Sequence, residues 1–148
     1  MMGQMITQLF RPVGMQEMQK ICALGLRGFP PRLPEQPIFY PVANHEYAAQ
    51  IARDWNTKDT HSGYCGFVTS FAVDTDYLQQ FKSQQVGARI HREYWIPAEK
   101  LEEFNRHILG VIRVEEAFYG SQYDGLMFDF KGKSIEEQID LLEQMGIG

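Results

Sequence analysis

The spacing of apolar residues along the chain predicts short strands and helices in mixed order. A brief apolar strand spans residues 6–10, where Arg and Pro stop it. Apolar residues at helical spacing over 15–24 predict a helix that Gly25 closes. Residues 28–37 hold four prolines, so we expect a stiff, extended loop there. The segment 38–42 is a brief strand or a turn.

The same pattern continues to the end of the chain. Asn44 is a good N-cap for a helix. Ser134 with Glu137 fits a capping box before a last helix. The remaining features are an apolar helical stripe at Tyr47, Ile51, Ala52 and Trp55, strands over 64–73, 91–96 and 110–114, a helical turn over 76–81, a helix over 98–107, and a final stripe at Ile135, Ile139, Leu142 and Met145. Strands with irregular connections and helices at several points indicate the α+β class.

Composition narrows the classes of function. With 148 residues and 44% hydrophobic residues, the chain is expected to form a single domain, 1–148. The formal net charge of −5 gives no electrostatic footprint for nucleic acid and no basic face for a membrane. No apolar run approaches the ~20 residues of a membrane span, and the start of the chain lacks the pattern of a signal peptide. We therefore expect a cytoplasmic protein with its two cysteines reduced.

The strand over 91–96 carries the most informative side chains. Because a strand alternates its faces, His91, Glu93 and Trp95 point to one side. A carboxylate between an imidazole and an indole is unusual on a core strand. The alternative is an edge strand with a solvated, charged face. Pro97 is expected to stop the strand.

Three segments together resemble the ADP-ribosyltransferase superfamily. In that superfamily a first strand ends in Arg or His, an aromatic or hydroxyl-bearing strand follows, and a glutamate lies on a later strand. The corresponding segments here are TQLFRPVG at 7–14, IFYPVAN at 38–44 and HREYWIP at 91–97. The resemblance implies an α+β domain with a central, bent, split β-sheet flanked by helices.

The chain also resembles a group of small bacterial proteins associated with ADP-ribosylation and crystallin J1. The blocks that carry this likeness are FPPRLPEQPIFYPV at 29–42, ARDWN at 52–56 and WIPAE at 95–99. The resemblance covers residues 6 to about 114, and the C-terminal segment 115–148 lies outside it. It implies NAD as the substrate and an unknown acceptor for ADP-ribose.

The resemblance also implies roles for individual residues. Glu93 would be the catalytic carboxylate, close to the ribose of NAD. Arg11 would hold the ribose or the pyrophosphate, and a planar guanidinium suits a bidentate grip on phosphate. Tyr40 would stack on nicotinamide, with Phe39 beside it packing inward. His91, two residues before the glutamate, would also contact NAD, although the family has another residue type at that position.

Simpler roles remain open for each of these side chains. Arg11 could pair with Glu17, Tyr40 could fill the core, and Glu93 could pair with Arg89 or Arg106. We expect the proline-rich loop to form one wall of the binding cleft, with Phe29 or Leu33 packed beneath it and Arg32 facing the ligand. Arg32 could then reach a phosphate, or it could pair with Glu35. The alternative function is a catalytically silent module of the same fold that binds a nucleotide or a partner.

Overall fold

The computed structural model describes residues 4–87 and 89–148. The strands are β1 (Ile6–Val13), β2 (Ile38–Phe39), β3 (Cys65–Asp74), β4 (Lys82–Gln85), β5 (Arg92–Pro97) and β6 (Ile108–Tyr119). The α-helices are α1 (Met15–Ala23), α2 (His45–Asp54), α3 (Thr75–Leu78), α4 (Leu101–Arg106) and α5 (Ile135–Gln144). The protein is therefore of the α+β class, as its sequence predicts.

The strands form two small antiparallel sheets that meet at one residue. One sheet has the order β1-β3-β6 and the other has the order β2-β5-β4. Val42 joins them, since it bridges to Phe10 of β1 on one side and to Glu93 of β5 on the other. The backbone N–H of Phe10 donates to the Val42 carbonyl at 2.9 Å, and that of Val42 donates back at 2.8 Å. This joint brings the middle of β1 beside the start of β5.

The first strand is longer than its sequence suggests. It continues through Arg11 and Pro12 to Val13, and Pro12 lies opposite Val68 of β3. The N–H of Phe10 points away from β3, toward Val42. Pro12 is two residues further on and has the same orientation, so its missing N–H falls on the outer edge of the strand, where no ladder bond is lost. The prediction that the strand stops at Phe10 is wrong for this reason.

Aromatic side chains fill the space beneath the two sheets. The rings of Phe29, Phe39, Phe71 and Phe104 are all buried. The Phe29 ring lies 5.0 Å from that of Phe39 and 4.9 Å from that of Phe71. Phe29 belongs to the proline-rich loop, so this packing anchors the loop to the core.

Helix α2 packs against β3 through small residues. Its buried positions are Ala48, Ala49 and Ala52, and a Cβ on Gly66 of β3 would lie 2.7 Å from the Ala52 carbonyl oxygen. The predicted N-cap is confirmed, because the Asn44 side chain accepts the Tyr47 N–H at 2.8 Å. The prediction that Trp55 lies in the core is wrong: its side chain is 59% exposed, since the alanines and not the aromatic residues face the sheet.

Other boundaries also differ from the prediction. Strand β4 was not expected, and β6 begins before 110 and ends well after 114. The strand β5 includes Pro97, which pairs with Ile38. The capping box at Ser134 is confirmed. On α5, however, Ile139 of the predicted apolar stripe is exposed, and Gln138 is buried.

Gln138 is buried because it serves the backbone of β6. Its side-chain oxygen accepts the Val114 N–H at 3.0 Å, and its side-chain nitrogen donates to the Val114 carbonyl at 2.6 Å. A buried backbone group without a partner costs about 1–3 kcal/mol, and two groups depend on this one side chain. Gln138 therefore ties α5 to β6 through hydrogen bonds that an apolar residue cannot make.

We expect Gln138→Leu to lower the free energy of unfolding by about 2–4 kcal/mol, since both Val114 backbone groups lose their partner. Urea denaturation followed by circular dichroism measures this change. Gln144→Leu on the same helix is the matched control, because Gln144 is exposed and surface changes cost less than ~0.5 kcal/mol. Equal stability of the two variants would contradict the structural role of Gln138.

Candidate functional site

A cleft of about 870 Å³ opens at the joint between the two sheets. Its walls come from β1, the start of α1, the proline-rich loop, β5 and the C-terminal part of α2. Among its lining residues are Arg11, Arg32, Tyr40, Glu93 and Trp95. Four of the six residues that the sequence singles out for a site therefore line one cleft. The other two, Phe39 and His91, do not line it.

Glu93 is held from two sides by neutral donors. The Trp95 indole Nε1 donates to Oε1 of Glu93 at 2.8 Å. The Tyr47 hydroxyl donates to Oε2 at 3.1 Å. Glu93 and Trp95 share a face of β5, as strand alternation predicts. Among the described residues no Lys, Arg or His forms an ion pair with Glu93, so the pairing with Arg89 or Arg106 considered above is absent.

Arg11 is only 11% exposed and its guanidinium is already paired. Its Nε donates to Oε2 of Glu17 at 2.6 Å and its Nη2 donates to Oε1 at 2.9 Å. Its third nitrogen, Nη1, lies 3.5 Å from the Tyr40 carbonyl oxygen. The guanidinium carbon lies 4.7 Å from the centre of the Phe39 ring. Phe39 is thus the buried base on which Arg11 lies, and Glu17 occupies the bidentate face of Arg11.

Arg32 is the less committed of the two arginines. Its Nε donates to the Ile38 carbonyl at 3.2 Å, and its terminal nitrogens make no hydrogen bond within the described residues. Burial, and then the nearby positive charge of Arg11, lower the pKa of Arg32. No ion pair forms with Glu35 among the described residues. Arg32 is therefore a partly buried cation that forms no ion pair with any residue of 4–87 or 89–148.

The proline-rich loop forms a wall of the cleft, as predicted. Pro30, Pro31, Arg32 and Leu33 all line it. Phe29 packs beneath the loop in the core, whereas Leu33 stays exposed. The four prolines restrict this wall in the unfolded chain as well, so holding it in place costs less entropy.

Tyr40 and Trp95 form an aromatic edge of the cleft. They are 39% and 38% exposed, and their ring centres lie 6.2 Å apart at an edge-to-face angle. Tyr40 does not fill the core. Two partly exposed aromatic rings beside a carboxylate can hold a flat, cationic ring by stacking and by cation–π attraction.

His91 lies behind Glu93 and outside the cleft. Its ring packs on that of Tyr47 with centres 4.6 Å apart, and its Nε2 lies 2.8 Å from Oε1 of Gln50. His91 precedes Arg92, the first residue of β5. It contacts Tyr47, the residue that donates to Glu93, and it does not line the cleft.

The sequence did not single out Tyr47 as a site residue. As a position of an amphipathic helix it looks like core packing, and only its contact with Glu93 gives it a polar role. Burial, followed by the charge of Glu93 and the hydrogen bond to it, raises the pKa of Tyr47 to about 12. The phenol therefore stays protonated and remains a donor at neutral pH.

The far end of the cleft has a different chemistry. Exposed Trp55 lies there with Asn56, Asp59 and Ser62. Ser62 Oγ donates to Oδ2 of Asp59 at 2.7 Å and accepts from Nδ2 of Asn56 at 2.9 Å. The buried Oδ1 of Asn56 has no hydrogen-bond partner in the described part of the chain.

Two other kinds of feature are absent from residues 4–87 and 89–148. No group of His, Cys, Asp or Glu there is arranged to hold a metal ion. No helix in that part of the chain is long and apolar enough to cross a membrane.

Comparison with known proteins gives no relative. No protein-family model, no curated protein and no solved structure matches this chain. The site must therefore be interpreted from its own chemistry.

We expect the stabilising contribution of the Tyr47 phenol to be complete below pH 10 and to be lost as the pH rises toward about 12. The unfolded chain ionises tyrosine near pH 10, whereas the folded protein holds Tyr47 neutral to about 12. The free energy of unfolding should thus fall less steeply over that range in Tyr47→Phe than in the wild type.

The ultraviolet absorbance of tyrosinate measures the same ionisation. The difference between the wild-type and Tyr47→Phe titrations isolates Tyr47 from the other tyrosines. In Glu93→Gln the Tyr47 pKa should fall only part of the way to 10, because burial, the largest cause, remains. Titration of Tyr47 at its ordinary value in the wild type would contradict this description of the site.

Proposed function

We propose that the chain has an ADP-ribosyltransferase-like fold and that its cleft binds NAD and transfers ADP-ribose to an acceptor. In this proposal the two sheets are the halves of a split sheet, joined at Val42. One observation carries it: Arg11, Tyr40 and Glu93, which lie on separate segments, line one cleft at that joint. These are the three residues to which the sequence resemblance assigns the ribose, nicotinamide and catalytic roles.

The reaction needs a negative charge near the ribose. When the bond between the ribose C1′ and the nicotinamide nitrogen breaks, its electron pair leaves with nicotinamide, which becomes neutral. Positive charge then develops on the ribose, and a fixed carboxylate stabilises it. The acceptor next forms a bond to C1′ with its own electron pair and loses a proton. Glu93 suits this role because no cation neutralises it among the described residues.

The diphosphate of NAD needs a positive partner. Arg32 is the better candidate, because its terminal nitrogens make no hydrogen bond within the described residues. Burial and the nearby positive charge of Arg11 lower its pKa. An anion between the two guanidinium groups would relieve their repulsion. Arg11 supports the same region, but Glu17 already takes two of its nitrogens.

The aromatic edge suits nicotinamide. The ring is flat and cationic before the bond breaks, so Tyr40 and Trp95 can attract it. The ring becomes neutral on release, which weakens that attraction. Trp95 is hydrogen-bonded to Glu93, where the reacting bond must be, and the Tyr40 ring lies 6.2 Å from the Trp95 ring.

A second candidate function has its own observation. The bidentate Arg11–Glu17 pair removes the guanidinium face that a catalytic grip on ribose or phosphate would use. This favours a module that binds a nucleotide or a partner without cleaving NAD. Both candidates predict binding, and only the first predicts release of nicotinamide.

We expect the wild type to release nicotinamide from NAD and Glu93→Gln to release it at least ~10²-fold more slowly, since the amide cannot stabilise positive charge. Liquid chromatography of free nicotinamide measures both rates. Thermal unfolding checks the fold, which should lose only about 1 kcal/mol.

The matched control is Glu99→Gln, an exposed carboxylate outside the cleft. It should keep the wild-type rate. If the wild type binds NAD and releases no nicotinamide, the silent module is the correct function. An unchanged rate in Glu93→Gln would exclude the catalytic role of that carboxylate.

We expect Arg32→Ala to raise the dissociation constant for NAD by about tenfold, because a charge-assisted hydrogen bond contributes about 1.5–3 kcal/mol. Isothermal titration calorimetry with NAD and with ADP-ribose measures this effect. Arg27→Ala is the control, since Arg27 is exposed and does not line the cleft. Equal affinities of the two variants would show that the phosphates bind elsewhere.

A further inference from the structure

The two oxygens of the Glu93 carboxylate are held by donors from different elements. Trp95 reaches Oε1 from the same strand, and Tyr47 reaches Oε2 from helix α2. One donor alone would leave the carboxylate free to turn about its terminal bond. Two donors on opposite oxygens fix its plane.

Tyr47 is itself held firmly in place. Its backbone N–H donates to the Asn44 side chain in the first turn of α2. The other end of that side chain, Nδ2, donates to the Ile90 carbonyl at 2.6 Å. The face of the Tyr47 ring packs on His91, which is bonded in turn to Gln50. The start of α2 and the segment before β5 are thus fastened together around the phenol.

The choice of donor matters for the chemistry. An arginine or lysine at this distance would also orient Glu93, but it would cancel the negative charge that the reaction uses. A phenol orients the carboxylate and leaves its charge in place. Burial and the neighbouring charge keep Tyr47 protonated, so it remains a donor throughout the physiological range.

We propose that Tyr47 is a positioning residue that acts through Glu93: its hydroxyl, backed by His91, fixes the carboxylate in the orientation that the reaction requires. This inference rests on the function proposed above. It places Tyr47 behind the carboxylate, outside the cleft wall, and it gives His91 a supporting role that replaces the predicted contact with NAD.

Tyr47→Phe tests this role, because it removes one oxygen and keeps the ring. We expect kcat for nicotinamide release to fall about tenfold with KM nearly unchanged, since the loss concerns orientation and not NAD binding. A purely structural residue would leave kcat per folded molecule unchanged.

Tyr77→Phe is the matched control. The Tyr77 hydroxyl donates to Oε2 of Glu103 at 2.9 Å, which is the same kind of contact away from the cleft. That variant should keep the wild-type kcat and KM. If Tyr47→Phe also keeps both, or if both variants change alike, the positioning role is refuted.

A second measurement does not depend on activity. Nitrogen-15 NMR follows the indole N–H of Trp95, which donates to Oε1 of Glu93 and whose signal is identified by its absence in Trp95→Phe. A carboxylate that has lost the Tyr47 donor turns more freely, so this N–H should exchange with solvent faster in Tyr47→Phe and at the wild-type rate in Tyr77→Phe. His91→Ala removes the ring that packs on Tyr47 and should act in the same direction, so it tests the idea even if Tyr47→Phe does not fold.

The two readouts separate the two proposals. If the wild type releases no nicotinamide while the Trp95 indole N–H exchanges faster in these variants, the transferase function fails and the positioning of the carboxylate by Tyr47 stands. If the wild type is active and the exchange of that N–H stays unchanged in Tyr47→Phe and in His91→Ala, the function stands and the positioning role fails.

Discussion

Two hydrogen bonds between Phe10 and Val42 set the geometry on which the rest of the molecule depends. They join the edge of one sheet to the segment that bridges to the other at Glu93. Neither sheet alone has more than three strands, and sheets this small gain stability by packing against other elements. The joint also determines which side chains meet, since Arg11 follows Phe10 directly and Tyr40 comes two residues before Val42.

The charged side chains of the cleft differ in whether they form an ion pair. Glu17 pairs with Arg11 through two hydrogen bonds, whereas Arg32 and Glu93 form no ion pair within the described residues. A ligand with an anionic part and a cationic part could therefore form favourable electrostatic contacts with Arg32 and Glu93 without breaking the Arg11–Glu17 pair. NAD has both parts, in its diphosphate and its nicotinamide ring. Arg11 itself contributes its positive charge and its packing on Phe39, because Glu17 already accepts hydrogen bonds from two of its nitrogens.

The sequence correctly predicted the features that depend only on residues close together in the chain. Asn44 and Ser134 are caps whose partners lie three residues away, and the prolines of the loop restrict the backbone wherever the loop lies. The misplaced residues share another property. Trp55 is exposed because Ala52 must approach Gly66 closely, and Gln138 is buried because Val114 needs its amide. Each of these outcomes depends on a residue distant in sequence, which periodicity cannot reveal.

The same limit applies to the candidate site. Strand alternation was enough to place Glu93 and Trp95 on one face, and the proline-rich loop was correctly expected beside them. β5 starts one residue after His91, a boundary that sequence patterns seldom locate, and the His91 ring packs on Tyr47 and does not line the cleft. Tyr47 was missed because a tyrosine in a helical stripe is ordinarily core, and its polar contact crosses from a helix to a strand.

The side-chain amide of Gln138 also affects whether the edge of β6 is open to aggregation. β6 is the last strand of its sheet and the longest strand, and such a border invites pairing with another chain. Here the Gln138 side chain and the Leu26 carbonyl take up the outward backbone groups of Val114 and Ile112. Loss of α5 would uncover a template for strand addition, so damage to the C-terminal helix would lead to self-association and aggregation before it led to simple unfolding.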